Sequence, residues 1–214
     1  MTSKNQASPP PLFFFRQFLK SPRGVGSIIP TSAVAVRAAL APVDWSEVRC
    51  VVEYGPGTGV FTRALLDRME PQARLVAIDT SPDFIAYLRQ SIDDPRLITV
   101  HGSAAQVEII LAGHGLPHAD VVVSGLPFST LPTEAAEAIM DATARTIRPG
   151  GAFLVYQYSR FVRSLLRARF ARVDEARVWR CIPPLQLFHA WHTARRGGAI
   201  CRADPSAAPG AASR

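Results

Sequence analysis

The chain of 214 residues has little that would staple it, chelate a metal or anchor it. Three cysteines, Cys50, Cys181 and Cys201, are an odd number at no metal-ligand spacing. That excludes a disulfide framework and a zinc ribbon, and fits reduced thiols in a cytoplasmic protein. Although 48% of the residues are hydrophobic, no apolar run approaches the roughly 18–20 residues that cross a bilayer. No His/Cys/carboxylate cluster suggests a metal, and no internal repeat points to a solenoid. Acidic residues are missing altogether from 1–30, where Lys4, Arg16, Lys20 and Arg23 give a net +4. Residues 31–159 carry a net −5, whereas 160–214 set eleven arginines against Asp174, Glu175 and Asp204, a net +8. A slightly acidic domain with two basic ends suits a polyanionic partner, either nucleic acid or an anionic membrane surface. Solvated charge with no partner is the plainer alternative.

What is present centres on residues 51–62, Val-Val-Glu-Tyr-Gly-Pro-Gly-Thr-Gly-Val-Phe-Thr. A short β-branched strand breaks into a turn with Gly55, Gly57 and Gly59 and then into a helix. Such a turn presents backbone N–H groups to a ligand, and glycine lets that ligand approach closely. A dinucleotide site needs its third glycine three positions after the second, but that position is Val60. The spacing Glu53-x-Gly55-x-Gly57-x-Gly59 instead resembles the first motif of class I S-adenosylmethionine (SAM)-dependent methyltransferases.

Around this turn the chain alternates short apolar strands with longer amphipathic segments. Residues 1–11 read as disordered and 12–41 as an amphipathic membrane or lid segment; within it, Leu12, Phe15, Phe18 and Leu19 share one helical face, with Arg16, Gln17 and Lys20 to another side. A second helix is expected from Thr31 or Ser32 to Leu40. Residues 42–193 form the α/β domain, and 194–214 a disordered tail. Strands are expected from 49, then at 74–79, 97–101, 120–124 and 152–158. The intervening helices fall at 59–69, 82–91, 103–111 and 133–147, with a sharp stop at 148–151. Regular alternation predicts a doubly wound, mostly parallel sheet with helices on both faces. Strands near 173–179 and 187–191 are too close for a crossover, so they should pair antiparallel, completing a seven-stranded Rossmann-like sheet whose last strand is antiparallel.

The likeness to the methyltransferases assigns ligand contacts along this sheet. Glu53 would orient the turn or the amino group of a methionine moiety, with Tyr54, Gly55, Gly57, Thr58 and Gly59 forming the cradle. Asp79, at the end of the second strand, can accept both ribose hydroxyls of a nucleoside, with Thr80 beside it. Gly102, Ser103 and Ala104 stand where an adenine amine is usually held. Ser124, Gly125 and Leu126 close the site at the fourth strand. The implied cofactor is SAM and the product S-adenosylhomocysteine.

Ser124-Gly125-Leu126-Pro127-Phe128 resembles the Asn-Leu-Pro-Tyr segment of ribosomal RNA adenine dimethyltransferases. There the asparagine holds the amine of a flipped base; Gly125 has no side chain to do so. Residues 12–193 as a whole resemble the bacterial phospholipid N-methyltransferases of the soluble, Rhodobacter-like type. The likeness rests on 14–30, the glycine turn, Ala77-Ile78-Asp79-Thr80, Ser124 to Ser129, and Arg148 to Gly151 with Phe153 to Gln157. It implies methylation of phosphatidylethanolamine toward phosphatidylcholine, at the inner face of the cytoplasmic membrane. Neither nucleic acid nor an obligate protein partner is then expected. A base methyltransferase and a catalytically silent SAM-binding membrane protein are the alternatives.

Methyl transfer to an amine is an in-line displacement governed by positioning and desolvation. Tyr158 and His101 are the candidate proton acceptors. Phe128, Tyr156 and Tyr158 could hold the cationic products, since aromatic faces bind cations without requiring an N–H donor. Alternation along a strand should turn Tyr156 and Tyr158 to one side. Arg16, Lys20 and Arg23 are candidates for the lipid phosphate.

Overall fold

The structure is a computed structural model that describes residues 33–179 and 184–192. Arg16, Lys20 and Arg23, and the expected amphipathic segment and tail, lie outside these residues. Among the described residues fifteen elements follow one another. Helix α1 (Ala33–Leu40) and a 3-10 turn capped by Asp44 lead into β1 (Cys50–Tyr54). Then come α2 (Val60–Leu66), β2 (Arg74–Asp79), α3 (Pro82–Ser91) and β3 (Leu97–His101). A 3-10 turn (Ala104–Gln106) runs into α4 (Val107–Gly113), followed by β4 (Ala119–Ser124) and α5 (Thr133–Thr146). The chain finishes with β5 (Ile147–Gln157), α6 (Val162–Arg167), β6 (Arg172–Val178) and β7 (Leu185–Trp191).

The seven strands are ordered β3-β2-β1-β4-β5-β7-β6. The first five are parallel, and β7 inserts antiparallel between β5 and β6. The expected antiparallel pair therefore forms. The central strands β1 and β4 are buried along their whole length, as their valine runs suit strands covered on both faces. One face packs Tyr54, Phe153 and Phe188 against α4, α5 and α6; the other packs Leu75 and Leu154 against α1 and α2. The His189 ring nitrogen fastens α1 to the sheet by donating to the Ala39 carbonyl at 3.1 Å, and burial lowers its pKa.

Two local departures have physical causes. The stop expected at 148–151 lies inside β5 as an irregularity: the pairing with β4 moves from Ala119↔Ile147 to Val121↔Ala152, with Gly150 at φ 82°. Proline and glycine there bulge the strand instead of ending it. Helix α6 was not expected, because six residues are too few to establish a helical period. Among the described residues no helix is long and apolar enough to cross a membrane.

Candidate active site

Parallel strands bring their carboxyl ends to one edge of the sheet. There the glycine turn is tied between its neighbours: Gly55 N–H donates to the Ile78 carbonyl at 2.9 Å, and Gly125 N–H to the Tyr54 carbonyl at 3.2 Å. Gly55, Gly57 and Gly59 all have positive φ (66°, 53° and 79°). At Gly57 a Cβ would meet nothing within 4 Å; its left-handed backbone borders open space that a ligand can enter. Arg63 secures the turn from behind by donating to the Thr58 and Gly59 carbonyls at 3.0 and 3.2 Å.

Alternation along β1 sends Glu53 to the α2 face and Tyr54 to the opposite one. Glu53 is 0% exposed. Its Oε2 accepts the Thr62 hydroxyl at 2.7 Å, while its buried Oε1 has no hydrogen-bond partner among the described residues. Burial pushes this carboxyl up to about 8, against the Thr62 hydrogen bond and with some help from the Asp79 charge. A buried carboxyl in that condition either holds a proton or awaits a cation. Asp79 is half-buried at the end of β2, where its Oδ1 accepts the Ser81 N–H at 2.8 Å. Burial raises its pKa although the N–H groups of Ser81, Gly57 and Thr80 and the nearby His101 favour the anion.

Beyond Asp79, Gly102 N–H donates to the Asp79 carbonyl at 2.9 Å. The Ser103 hydroxyl accepts the Ala105 N–H at 3.3 Å, capping the 3-10 turn in which Ala104 is buried. On the other side, Ser124 Oγ accepts the Leu126 N–H at 3.2 Å, and Leu126 covers Gly55. Gly125 has a steric reason to be glycine: a Cβ there would stand 2.6 Å from Tyr156 Cζ. The Tyr156 ring lies over this position and stacks on Phe61, with centroids 4.0 Å apart and planes 11° apart. Burial, and secondarily the Glu53 charge, raises the Tyr156 phenol, so it stays protonated. Tyr156 and Tyr158 do face the same side, with Leu154.

Two expectations need correction. The Tyr54 side chain does not face the cofactor turn; it is buried on the far side with its hydroxyl 3.1 Å from Thr143 Oγ1, so only its backbone serves the site. Phe128 is 0% exposed and belongs to the core. The turn after β4 curls inward, with Phe128 N–H donating to the Leu126 carbonyl, and this carries the ring away from any substrate. The two alternative proton acceptors, His101 and Tyr158, lie at separate places: they follow β3 and β5, four strand spacings or roughly 19 Å apart. His101 instead sits beside Asp79, with Nε2 3.1 Å from the Thr80 carbonyl. Sequence reasoning missed Phe61 and Thr62, the residues of α2 that meet Tyr156 and Glu53. Their signal was their place in the first turn of a helix that must face the sheet.

With this geometry in hand, known proteins give it a family. The family described as a methyltransferase domain matches residues 51–151. Ornithine lipid N-methyltransferase of Singulisphaera acidiphila is 31% identical over 156 residues, covering 70% of this chain and 81% of that protein. The chain belongs to the class I SAM-dependent methyltransferases. Ribosomal RNA small subunit methyltransferase A of Caulobacter vibrioides is 42% identical over only 81 residues, 37% of this chain and 29% of that protein. Among solved structures, the N-methyltransferase NodS of Bradyrhizobium japonicum in complex with S-adenosylhomocysteine shares the fold, with TM-score 0.61 at 15% identity, over 82% of this chain and 97% of that one.

The site fits the cofactor of this methyltransferase family. An unpartnered, fully buried carboxylate oxygen at Glu53 suits an ammonium group. The open backbone at Gly57 admits the methionine end, and Asp79 stands where ribose hydroxyls need an acceptor.

Proposed function

We propose that this methyltransferase methylates the amine of phosphatidylethanolamine, and of its mono- and dimethyl forms, at an anionic membrane surface. SAM, when bound, supplies the electrophilic methyl group. Glu53 would hold the cofactor's ammonium, Asp79 its ribose and the 102–104 segment its adenine. That arrangement directs the reacting end toward the ends of β4 and β5. Tyr156, backed by the buried Phe61 ring stacked on it, presents an aromatic surface there, suited to a cation that gains methyls and loses N–H donors. Tyr158, just past the end of β5 on the same face, is better placed than His101 to accept a hydrogen bond from the amine while its proton passes to water.

The observation that carries the lipid reading is the Tyr156 ring over Gly125. It fills the space that an amide side chain would need to hold a flipped base. The coverage of a lipid N-methyltransferase relative supports it, and names a second reading, the same chemistry on an ornithine lipid. Both are tested by incubating the full chain and radiolabelled SAM with vesicles of phosphatidylethanolamine, vesicles of ornithine lipid, and ribosomal RNA. Label in phosphatidylethanolamine is expected. Label in ornithine lipid alone would select the second reading, and label in RNA alone would overturn both.

A further inference from the structure

Among the described residues four large apolar side chains are exposed: Val60, Ile109, Phe161 (45%) and Trp179 (70%). The topology brings three of them to the edge that carries the site. Val60 opens α2 directly after the glycine turn, and Phe161 follows the end of β5. Trp179 follows β6, which is antiparallel to β7 and therefore runs with β5. The register fixes their heights: Gln186 pairs with Gln157 on one side and with Arg177 on the other. Arg177 and Gln157 are thus level, two strand spacings or about 10 Å apart. Trp179 leaves the sheet at the height where the chain turns toward Phe161.

Charge along this part of the fold is sorted by depth. Away from the edge, Arg163 and Arg167 pair with Glu175, and Arg172 pairs with Asp174. At the edge, Arg177 donates to the neutral Gln186 at 3.0 Å and lies 5.7 Å from the Trp179 ring centroid. Arg160 is exposed beside Phe161. Neither edge arginine is in an ion pair among the described residues. Exposed indole and phenyl rings beside uncompensated guanidinium groups match the headgroup layer of a bilayer, where rings enter the acyl boundary and cations meet phosphates.

We propose that this edge, with Phe161, Trp179, Arg160 and Arg177, is a docking surface for an anionic lipid bilayer, holding the mouth of the site against the membrane. The inference rests on the lipid reading above. It differs from the expectation for residues 12–20, which would bind through another part of the chain.

The full chain is tested by co-sedimentation with phosphatidylcholine vesicles containing phosphatidylglycerol. Two variants are compared with it, Phe161→Ala/Trp179→Ala and Arg160→Gln/Arg177→Gln. Each is expected to partition at least about tenfold less, with unchanged affinity for S-adenosylhomocysteine and unchanged turnover of short-chain phosphatidylethanolamine dispersed below its micelle concentration. The arginine pair keeps the test valid should the apolar pair fail to fold. Unchanged partitioning of both variants overturns the docking surface and moves binding to a segment such as 12–20. Lost partitioning with an equal loss of turnover on dispersed lipid overturns it too, placing these residues in the acceptor site. A chain that sediments as expected but methylates no aminolipid in either form sinks the lipid reading alone.

Discussion

Two carboxylates lie buried on neighbouring strands of this sheet, and they are treated in opposite ways. Asp120, at the start of β4, accepts the Arg49 and Cys50 N–H groups at 2.7 and 2.8 Å and pairs with Arg148. Burial alone would raise its pKa, but the guanidinium and the two N–H groups outweigh that and lower it. Glu53, near the end of β1, accepts from Thr62 and keeps one oxygen bare among the described residues, and its pKa climbs to about 8. The amino edge of the sheet is completed by the chain's own groups. The carboxyl edge leaves a buried carboxyl oxygen without a partner among the described residues.

The comparison breaks most visibly at Asp120. Asp120→Ala would strand a half-buried guanidinium and two backbone donors, so a loss of about 3 kcal/mol in stability is expected, read by urea denaturation. Affinity of the folded variant for S-adenosylhomocysteine should stay unchanged. Because the folded-state pKa is lowered, this stabilisation is present above the ordinary value of 3.8 and is lost as pH falls through the folded one. A variant as stable as the parent would show that the amino edge is not held as described.

Glu53→Gln should do the reverse. A group raised from 4.5 to about 8 contributes stability that is full below 4.5 and lost as pH rises through about 8. The variant removes that dependence and should match or exceed the parent's stability at pH 8. Its affinity for S-adenosylhomocysteine should fall by roughly ten- to a hundredfold, the worth of about 1.5–3 kcal/mol for a hydrogen bond to a charged group. Unchanged binding in calorimetry would remove Glu53 from the cofactor site. A smaller loss, about tenfold or 1.4 kcal/mol, is expected for Asp79→Ala, because a ribose offers no charge to its carboxylate. Equal losses at the two positions would erase that distinction.

The places of Glu53 and Asp79 near the ends of β1 and β2 could be read from the sequence because strand, turn and strand end are local: a β-branched run, glycines and a carboxylate at the right interval. The antiparallel β6–β7 pair was legible for a similar reason, since the short connection permits little else. What could not be read is which way side chains face when register across strands decides it. Tyr54 and Tyr156 are both aromatic and both next to the site in sequence, yet one enters the core toward Thr143 and the other covers Gly125. Phe128 was misplaced because an inward-curling turn cannot be told from an outward one without the strands around it. Phe61 replaces it as the aromatic partner, brought there by helix packing on the sheet. Gly125 was correctly seen as a missing side chain, but its cause, the ring of Tyr156 on the next strand, is visible only in three dimensions.

The most delicate test of the two carboxylates follows a single proton. With its pKa at about 8, Glu53 in the ligand-free protein is mostly protonated at pH 7. An ammonium group placed against its bare oxygen favours the carboxylate, so binding should expel about one proton at pH 7. Affinity for S-adenosylhomocysteine should accordingly rise by up to about tenfold per pH unit between 6 and 8, then level off as the free protein ionises by itself. Calorimetry in buffers of different ionisation enthalpy reads the released proton directly. Asp120 is already ionised throughout this range, so Asp120→Asn, if folded, should release the same proton, whereas Glu53→Gln should release none. Proton release that survives in Glu53→Gln would assign the titration to another group and leave the bare oxygen of Glu53 without a ligand.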